Sequence, residues 1–189
     1  TPVLSSAASD VYKRQWLNSA SESDIADVIW KYGEEKYSRR IAKKIVSERN
    51  NAEIKTTLEL ANLVNNVIPY TKNRKHKATK TFQAIRIYTN NELDILKKTL
   101  FKSYSILAPK GRLVLITYHS LEDKVIKDFI KHTDKKYSTP KNLPIKEEFL
   151  TKMFKVVDRF VKPNIEEVEL NPRSRSAKLS ILEKVNENN

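Results

Sequence analysis

The segment from Gly111 to Lys131 changes its hydrophobic period part-way along. A chain absorbs that change most simply as a strand that turns directly into a helix. The turn Ala108-Pro109-Lys110-Gly111 leads into an apolar run, Leu113 to Tyr118, that lacks strict apolar–polar alternation. Both faces of such a strand are expected to be covered, as in a parallel sheet packed by helices. From Leu121 the apolar residues recur at helical spacing, through Val125, Ile126, Phe129 and Ile130. Ser120 and Asp123 have the spacing of a capping box, worth about 1 kcal/mol. His119 and Ser120 therefore fall at the turn. In open α/β sheets ligands sit there, beyond the carboxyl ends of strands and against helix amides.

Upstream, Trp16 to about Pro69 reads as helical throughout. Ile25, Val28, Ile29 and Tyr32 form one stripe, with Gly33 as a C-terminal stop. Tyr37, Ile41, Ala42 and Ile45 form a second, opposite a basic face of Lys36, Arg39, Arg40, Lys43 and Lys44. Thr56 and Glu59 open a third helix as a capping box, with Leu60, Leu63, Val64 and Val67 inward and Pro69 closing it. Thr79 to Tyr88 reads as a short helix and Asn91 to Leu107 as a longer one, with Leu93, Leu96, Leu100, Tyr104 and Leu107 on one face.

Charge bears on partners. The 189 residues carry a net charge of +13, which favours a polyanion, since lysine and arginine near phosphates release condensed counterions. A generally lysine-rich composition is the bland alternative. Between Leu60 and Asn91 there is no acidic residue, while Lys72, Arg74, Lys75, Lys77, Lys80 and Arg86 all occur. That imbalance marks a phosphate-contacting strip, though charge runs are usually solvated surface. The chain has no cysteine, which excludes disulfides and thiolate metal sites, and three scattered histidines, His76 within the strip among them, suggest no metal centre. No apolar run approaches the roughly 20 residues of a membrane span. A cytoplasmic protein is the default expectation.

Downstream of Lys131, a polar loop from Thr133 to Pro144 precedes a short helix from Lys146 to about Lys152. Phe154 to Val161 and Ala177 to Val185 are strand candidates, separated by the rigid cationic loop Asn171-Pro-Arg-Ser-Arg-Ser176. At the other end, residues 1–15 have no clear period and are similar to translated sequencing-adapter tails. Native sequence is expected to begin near Trp16, so that 1–15 is a non-native tail.

Three segments carry a resemblance. Thr81-Phe-Gln-Ala-Ile-Arg86, Tyr118-His-Ser-Leu-Glu-Asp123 and Asn171-Pro-Arg-Ser-Arg-Ser-Ala-Lys178 closely resemble the RsmH/MraW family of methyltransferases. Gln15-Trp16-Leu17, Tyr32-Gly-Glu-Glu35 and Arg40-Ile-Ala-Lys43 look like the same family's helical segment. The resemblance is collinear from about Trp16 to Lys184. It departs at Lys77, where the family usually has proline, at Lys110, where it has glycine, and at Tyr118, where phenylalanine is common.

The resemblance implies a Rossmann-like, S-adenosylmethionine-dependent α/β methyltransferase with an inserted α-helical domain, acting on N4 of a cytidine in 16S ribosomal RNA. Residues 16–78 would be the substrate-recognising insert and 79–189 the C-terminal half of the catalytic domain, in which the last strand runs antiparallel. The family's cofactor-binding elements precede the insert, and their glycine-rich turn is missing from a chain whose only glycines are Gly33 and Gly111. The chain is therefore expected to be a C-terminal portion that neither binds S-adenosylmethionine tightly nor turns over alone. Its partner would be 16S rRNA in the small ribosomal subunit, with no membrane; a homodimer stays open.

Methylating an exocyclic amine requires an in-line donor, hydrogen bonds that orient the base and a sink for the amine proton. The cytosine must leave its stack and be read at its polar edge. His119, Ser120 and Asn171 are the candidate catalytic residues. His119 and Ser120 would orient the base or relay the proton, and Asn171 would contact the base or shape its loop. Arg173 and Arg175, with the strip cations, are the candidate RNA-binding residues. Each has a plainer reading: Ser120 as a helix cap, Glu122 and Asp123 as first-turn acids favoured by the helix dipole, Gln83 and Arg86 as structural bridges. A non-catalytic RNA-binding helical module is the main alternative. A serine hydrolase on Ser120, His119 and Asp123 lacks a G-x-S-x-G elbow, and adjacent Ser and His are badly placed for the required geometry.

Overall fold

Apolar spacing accounts for the first five helices of the computed structural model, which describes residues 6–69, 77–133 and 153–185. They are α1 (Ser6–Ser19), α2 (Glu22–Gly33), α3 (Ser38–Arg49), α4 (Thr57–Val67) and α5 (Thr79–Thr89), and they form one compact unit ending at Glu92. Ile25, Ile29, Ile41, Ile45, Val64 and Ile85 meet in its core. The Thr56–Glu59 box forms as expected: Glu59 N donates to Thr56 Oγ1 at 3.1 Å and Thr56 N donates to the Glu59 carboxylate at 3.2 Å. This compact unit runs past Ala78/Thr79 to Glu92/Leu93, and Ile85 of α5 packs in its core. α1 also runs unbroken through Gln15/Trp16, so the stretch set aside as a tail is continuous with it from Ser6.

Gly33 does not act as the left-handed stop. It is the last residue of α2, and Glu34 takes the left-handed conformation instead, at φ 50°. The glycine is needed for packing: a Cβ there would meet the Lys80 carbonyl oxygen at 2.6 Å and the Ala84 Cβ at 3.2 Å. Its missing side chain lets α2 and α5 close together.

The second unit contains α6 (Glu92–Ile106, assigned from Leu93 onward), β1 (Arg112–Thr117), α7 (Ser120–Thr133), β2 (Phe154–Val161), α8 (Ile165–Leu170), a 3₁₀ turn (Pro172–Ser176) and β3 (Lys178–Lys184). The helix anticipated over Lys146–Lys152 lies outside the described residues. α8 was not anticipated; its six residues are capped by Asn164, whose side chain accepts from Glu167 N at 2.7 Å. The sheet has the order β1-β3-β2, with β3 antiparallel to both neighbours, as expected for the last strand.

One sequence expectation is corrected here. Among the described residues β1 is covered on one face only, and its partner there, β3, is antiparallel. Its burial alternates: Leu113, Leu115 and Thr117 turn toward the core, while Val114 and Ile116 are 56% and 58% exposed. The inward face packs with Leu100, Val125, Ile126, Phe129, Phe154 and Leu182. Phe129, Phe154 and Tyr104 interlock there, with ring centroids 5.5–5.6 Å apart. The run looked doubly buried because its outward positions are as apolar as its inward ones.

Candidate functional site

The strand–turn–helix is present, but its cap is built one residue earlier than the spacing of Ser120 and Asp123 predicts. His119 holds the capping position. Its Nδ1 accepts the backbone N–H of Glu122 at 3.3 Å. The Glu122 carboxylate in turn accepts the amides of Tyr118 at 2.7 Å and His119 at 3.3 Å. This is the reciprocal geometry of a capping box with an imidazole in place of a hydroxyl. The Ser120–Asp123 box is thus corrected: Ser120 is the exposed first residue of α7, and Asp123 turns inward.

The cap dictates the state of the imidazole. A nitrogen that accepts an amide hydrogen bond carries no proton, so in neutral His119 the proton sits on Nε2. That nitrogen is buried and has no hydrogen-bond partner among the described residues, although it lies 3.3 Å from Glu122 Oε1, off the line a hydrogen bond prefers. Burial works against ionisation of Glu122. The neighbouring His119 imidazole and the Tyr118 and His119 amides outweigh it and hold the carboxyl below its ordinary value of 4.5.

Asp123 has a role that its sequence position did not reveal. Its side chain is 7% exposed, accepts the Thr117 hydroxyl at 2.6 Å and forms an ion pair with Lys178. Thr117 ends β1, Lys178 begins β3, and the two are paired across the ladder. The carboxylate therefore ties strand end, neighbouring strand and helix start into one unit. The signal was present, since Asp123 and Lys178 each close one of the motifs carrying the resemblance, but nothing in one dimension joined them.

The same pairing brings the two candidate loops to one end of the sheet. His119 lies two residues past Thr117, and Arg175 lies three residues before Lys178. Asn171 caps its own 3₁₀ turn, accepting from Arg173 N at 3.2 Å, and Ser174 is buried beneath, donating to the Asn171 carbonyl at 2.8 Å. Arg173 and Arg175 are exposed. Phe160 was missed altogether. It sits in the irregular part of β2 at φ 56°, its amide donating to the buried Ser180 hydroxyl at 3.1 Å. For a bulky residue that conformation is strained, and β-bulges are where such strain collects. The Lys178 ammonium lies 6.0 Å from its ring centroid.

Of the cationic strip, Lys72, Arg74 and Lys75 lie outside the described residues. The other three have partners inside the protein. Lys77 donates to the Ile68 carbonyl at 2.9 Å, beyond the end of α4, and Lys80 donates to the Glu34 carbonyl at 2.8 Å, beyond the end of α2. Arg86 makes a two-pronged pair with Glu92 at 2.9 and 3.1 Å. Arg49 and Lys184 likewise donate to carbonyls at the ends of α1 and α6. Helix ends leave carbonyls without partners, and cations satisfy them. Much of the positive charge thus serves the fold. Lys36, Arg39, Arg40 and Lys43 remain exposed at and along α3.

Neither glycine opens on a cavity where a cofactor could approach the backbone. Gly33 is closed by Lys80, and a Cβ on Gly111 would meet the Ala108 carbonyl oxygen at 2.7 Å. The described residues do not fit a nucleoside cofactor through a glycine-rich turn, and among them no three His, Asp or Glu side chains gather to hold a metal ion.

Comparison with known proteins places these features in a family. The model of the MraW methylase family matches residues 6–185, beginning within the segment set aside as a tail. The ribosomal RNA small subunit methyltransferase H of Treponema denticola is 44% identical over 193 residues, covering 97% of this chain and 58% of that protein. Proteins of the same name from Marinomonas sp. and Xylella fastidiosa are also 44% identical, over 173 and 176 residues, with 92% and 90% of this chain matched to 55% and 56% of theirs. The chain spans little more than half the length of these relatives, and across that span it belongs to the MraW methylase family.

Proposed function

We propose that this chain is the helical insert and C-terminal half of an S-adenosylmethionine-dependent methyltransferase of Rossmann-like fold. Its substrate would be N4 of a cytidine in the decoding region of 16S ribosomal RNA, and its compartment the cytoplasm. The observation that carries this reading is the capped His119 imidazole: a fixed tautomer at the carboxyl end of a strand, beside the Asn171–Ser176 loop. The exposed Val114 and Ile116 on β1 support a larger sheet assembly in the complete enzyme.

The tautomer favours one of the two roles that the sequence leaves open for His119. With Nδ1 engaged by the helix amide and Nε2 protonated, the neutral imidazole has no lone pair free to take the amine proton. It is a hydrogen-bond donor, and once the buried Nε2–H turns outward from beside Glu122 it suits a carbonyl or ring-nitrogen acceptor of an extruded cytosine. His119 therefore orients the base, and the amine proton leaves by another route. Asn171 holds the loop on which Arg173 and Arg175 meet RNA phosphates. Ser120, at the exposed first position of α7, stands beside the base. The donor's cradle belongs to the part of the enzyme that precedes the insert.

In the complete enzyme, His119→Ala is expected to lower turnover more than RNA affinity; an unchanged rate returns His119 to scaffolding. Calorimetry on the present chain is expected to show no micromolar binding of S-adenosylmethionine, and such binding would overturn the division of labour. A non-catalytic RNA-binding module describes what the chain does by itself, and the exposed cations of α3 favour that description.

A further inference from the structure

The helical unit contains a cleft of about 550 Å³, within the roughly 300–1,000 Å³ of ligand pockets. Its floor is apolar, from Leu17, Ile54, Leu60 and Ile85, and Phe82 is the one aromatic ring in the lining. Four of the twelve lining residues are cations and none is a carboxylate. The acids nearest in sequence are Glu53, which is exposed and outside the lining, and Glu59, which is engaged by the amides of Lys55 and Thr56. An apolar floor with an aromatic side wall and a cationic rim fits a flat, apolar-faced group attached to anions. A water-soluble sugar or an acidic peptide would leave one half of that lining unmatched.

We propose that this cleft holds one unstacked nucleobase of a single-stranded RNA, with the flanking phosphates at the rim. The inference rests on the RNA-methyltransferase reading and adds a second point of attachment, in the helical unit. Lys55 is the rim residue on which the argument leans. It is exposed and sits on the loop entering α4, next to the exposed Thr57. Arg86 is held by Glu92, and Lys13 and Arg14 come from the first helix, so none of these three is needed for the test. Bases stack on aromatic side chains with little regard to sequence, so the site would grip RNA without choosing it.

The test is fluorescence anisotropy of the full chain with a labelled single-stranded RNA of mixed sequence at about 0.1 M salt. Lys55→Glu is expected to weaken binding about fivefold and to reduce the log–log salt slope by about 0.7. Thr57→Trp, which fills the cleft from an exposed position and keeps the charge, is expected to weaken it roughly tenfold. Lys102→Glu on α6 is the charge-matched control, and circular dichroism verifies folding of each variant. Thr57→Trp at wild-type affinity, with Lys55→Glu no worse than Lys102→Glu, overturns the cleft and leaves the enzyme reading standing. Wild-type chain that binds no RNA sinks that reading as well.

Discussion

His119 and Glu122 cap the same helix through each other: the imidazole Nδ1 takes the Glu122 amide, and the Glu122 carboxylate takes the His119 amide. A residue nominated for chemistry is thus also a structural one. Its two ring nitrogens differ: Nδ1 accepts the helix amide, and Nε2 is buried 3.3 Å from Glu122 Oε1.

That difference can be read directly. The chain has three histidines, so nitrogen-resolved magnetic resonance of the imidazoles is tractable. Neutral His119 is expected as the Nε2–H tautomer. A dominant Nδ1–H signal at position 119 contradicts the cap and, with it, the donor role.

Glu122 makes the cap sensitive to acid. Its carboxyl is held below 4.5 in the folded chain, so the stability it contributes is present above that value and is lost as pH falls through the folded pKa. Glu122→Gln should lower stability at pH 7 by about 1 kcal/mol, the usual worth of a cap. It should also flatten the loss of stability below about pH 4.5. Urea unfolding at pH 7 and pH 4 measures both; an equally steep acid loss in the variant rules the carboxylate out as its source.

Lys178 and Asp123 form the clamp beneath the turn. Lys178→Met leaves a carboxylate with 7% exposure whose remaining side-chain partner among the described residues is the Thr117 hydroxyl. Removing one partner of a buried pair costs about 3–5 kcal/mol. Lys178 is 33% exposed, which moves the expected loss to about 2–3 kcal/mol. The double variant Asp123→Asn, Lys178→Met should recover part of it. Additive losses in a double-mutant cycle would show that the pair is not coupled.

Two positions turn on backbone geometry. Alanine is the better helix former by about 1 kcal/mol, yet Gly33→Ala should destabilise the helical unit by about 1–2 kcal/mol. The added methyl meets a backbone carbonyl at 2.6 Å, and a carbonyl in α5 cannot swing aside as a side chain would. A raised melting temperature would mean that the two helices separate more readily than the packing implies.

Lys110 sits at φ 61°, where an L side chain costs about 1–2 kcal/mol. It is also a position at which the family resemblance expects glycine. Lys110→Gly should stabilise the second unit by about 0.5–1 kcal/mol after the extra chain entropy of glycine is counted. Lys110→Val should destabilise it. The same ordering of denaturation midpoints for both variants removes strain as the reason.

The elements and their inward faces were legible because period and burial are linked locally. Ile25, Ile29, Ile41 and Ile45, or Val125, Ile126 and Phe129, can point one way only if the chain is helical. The Thr56–Glu59 box needs just three residues of separation, and it was found where the spacing put it. What a one-dimensional pattern could not carry was competition between neighbours and pairing at a distance. Ser120–Asp123 and His119–Glu122 offer the same spacing, and Lys178, 55 residues from Asp123, settled the choice by drawing that carboxylate inward. The sequence shows Lys77, Lys80 and Arg86 as an acid-free run but not their acceptors inside the protein, which are carbonyls and a glutamate just past that run. Charge is written in the chain, but the partner of each charge is a matter of three dimensions.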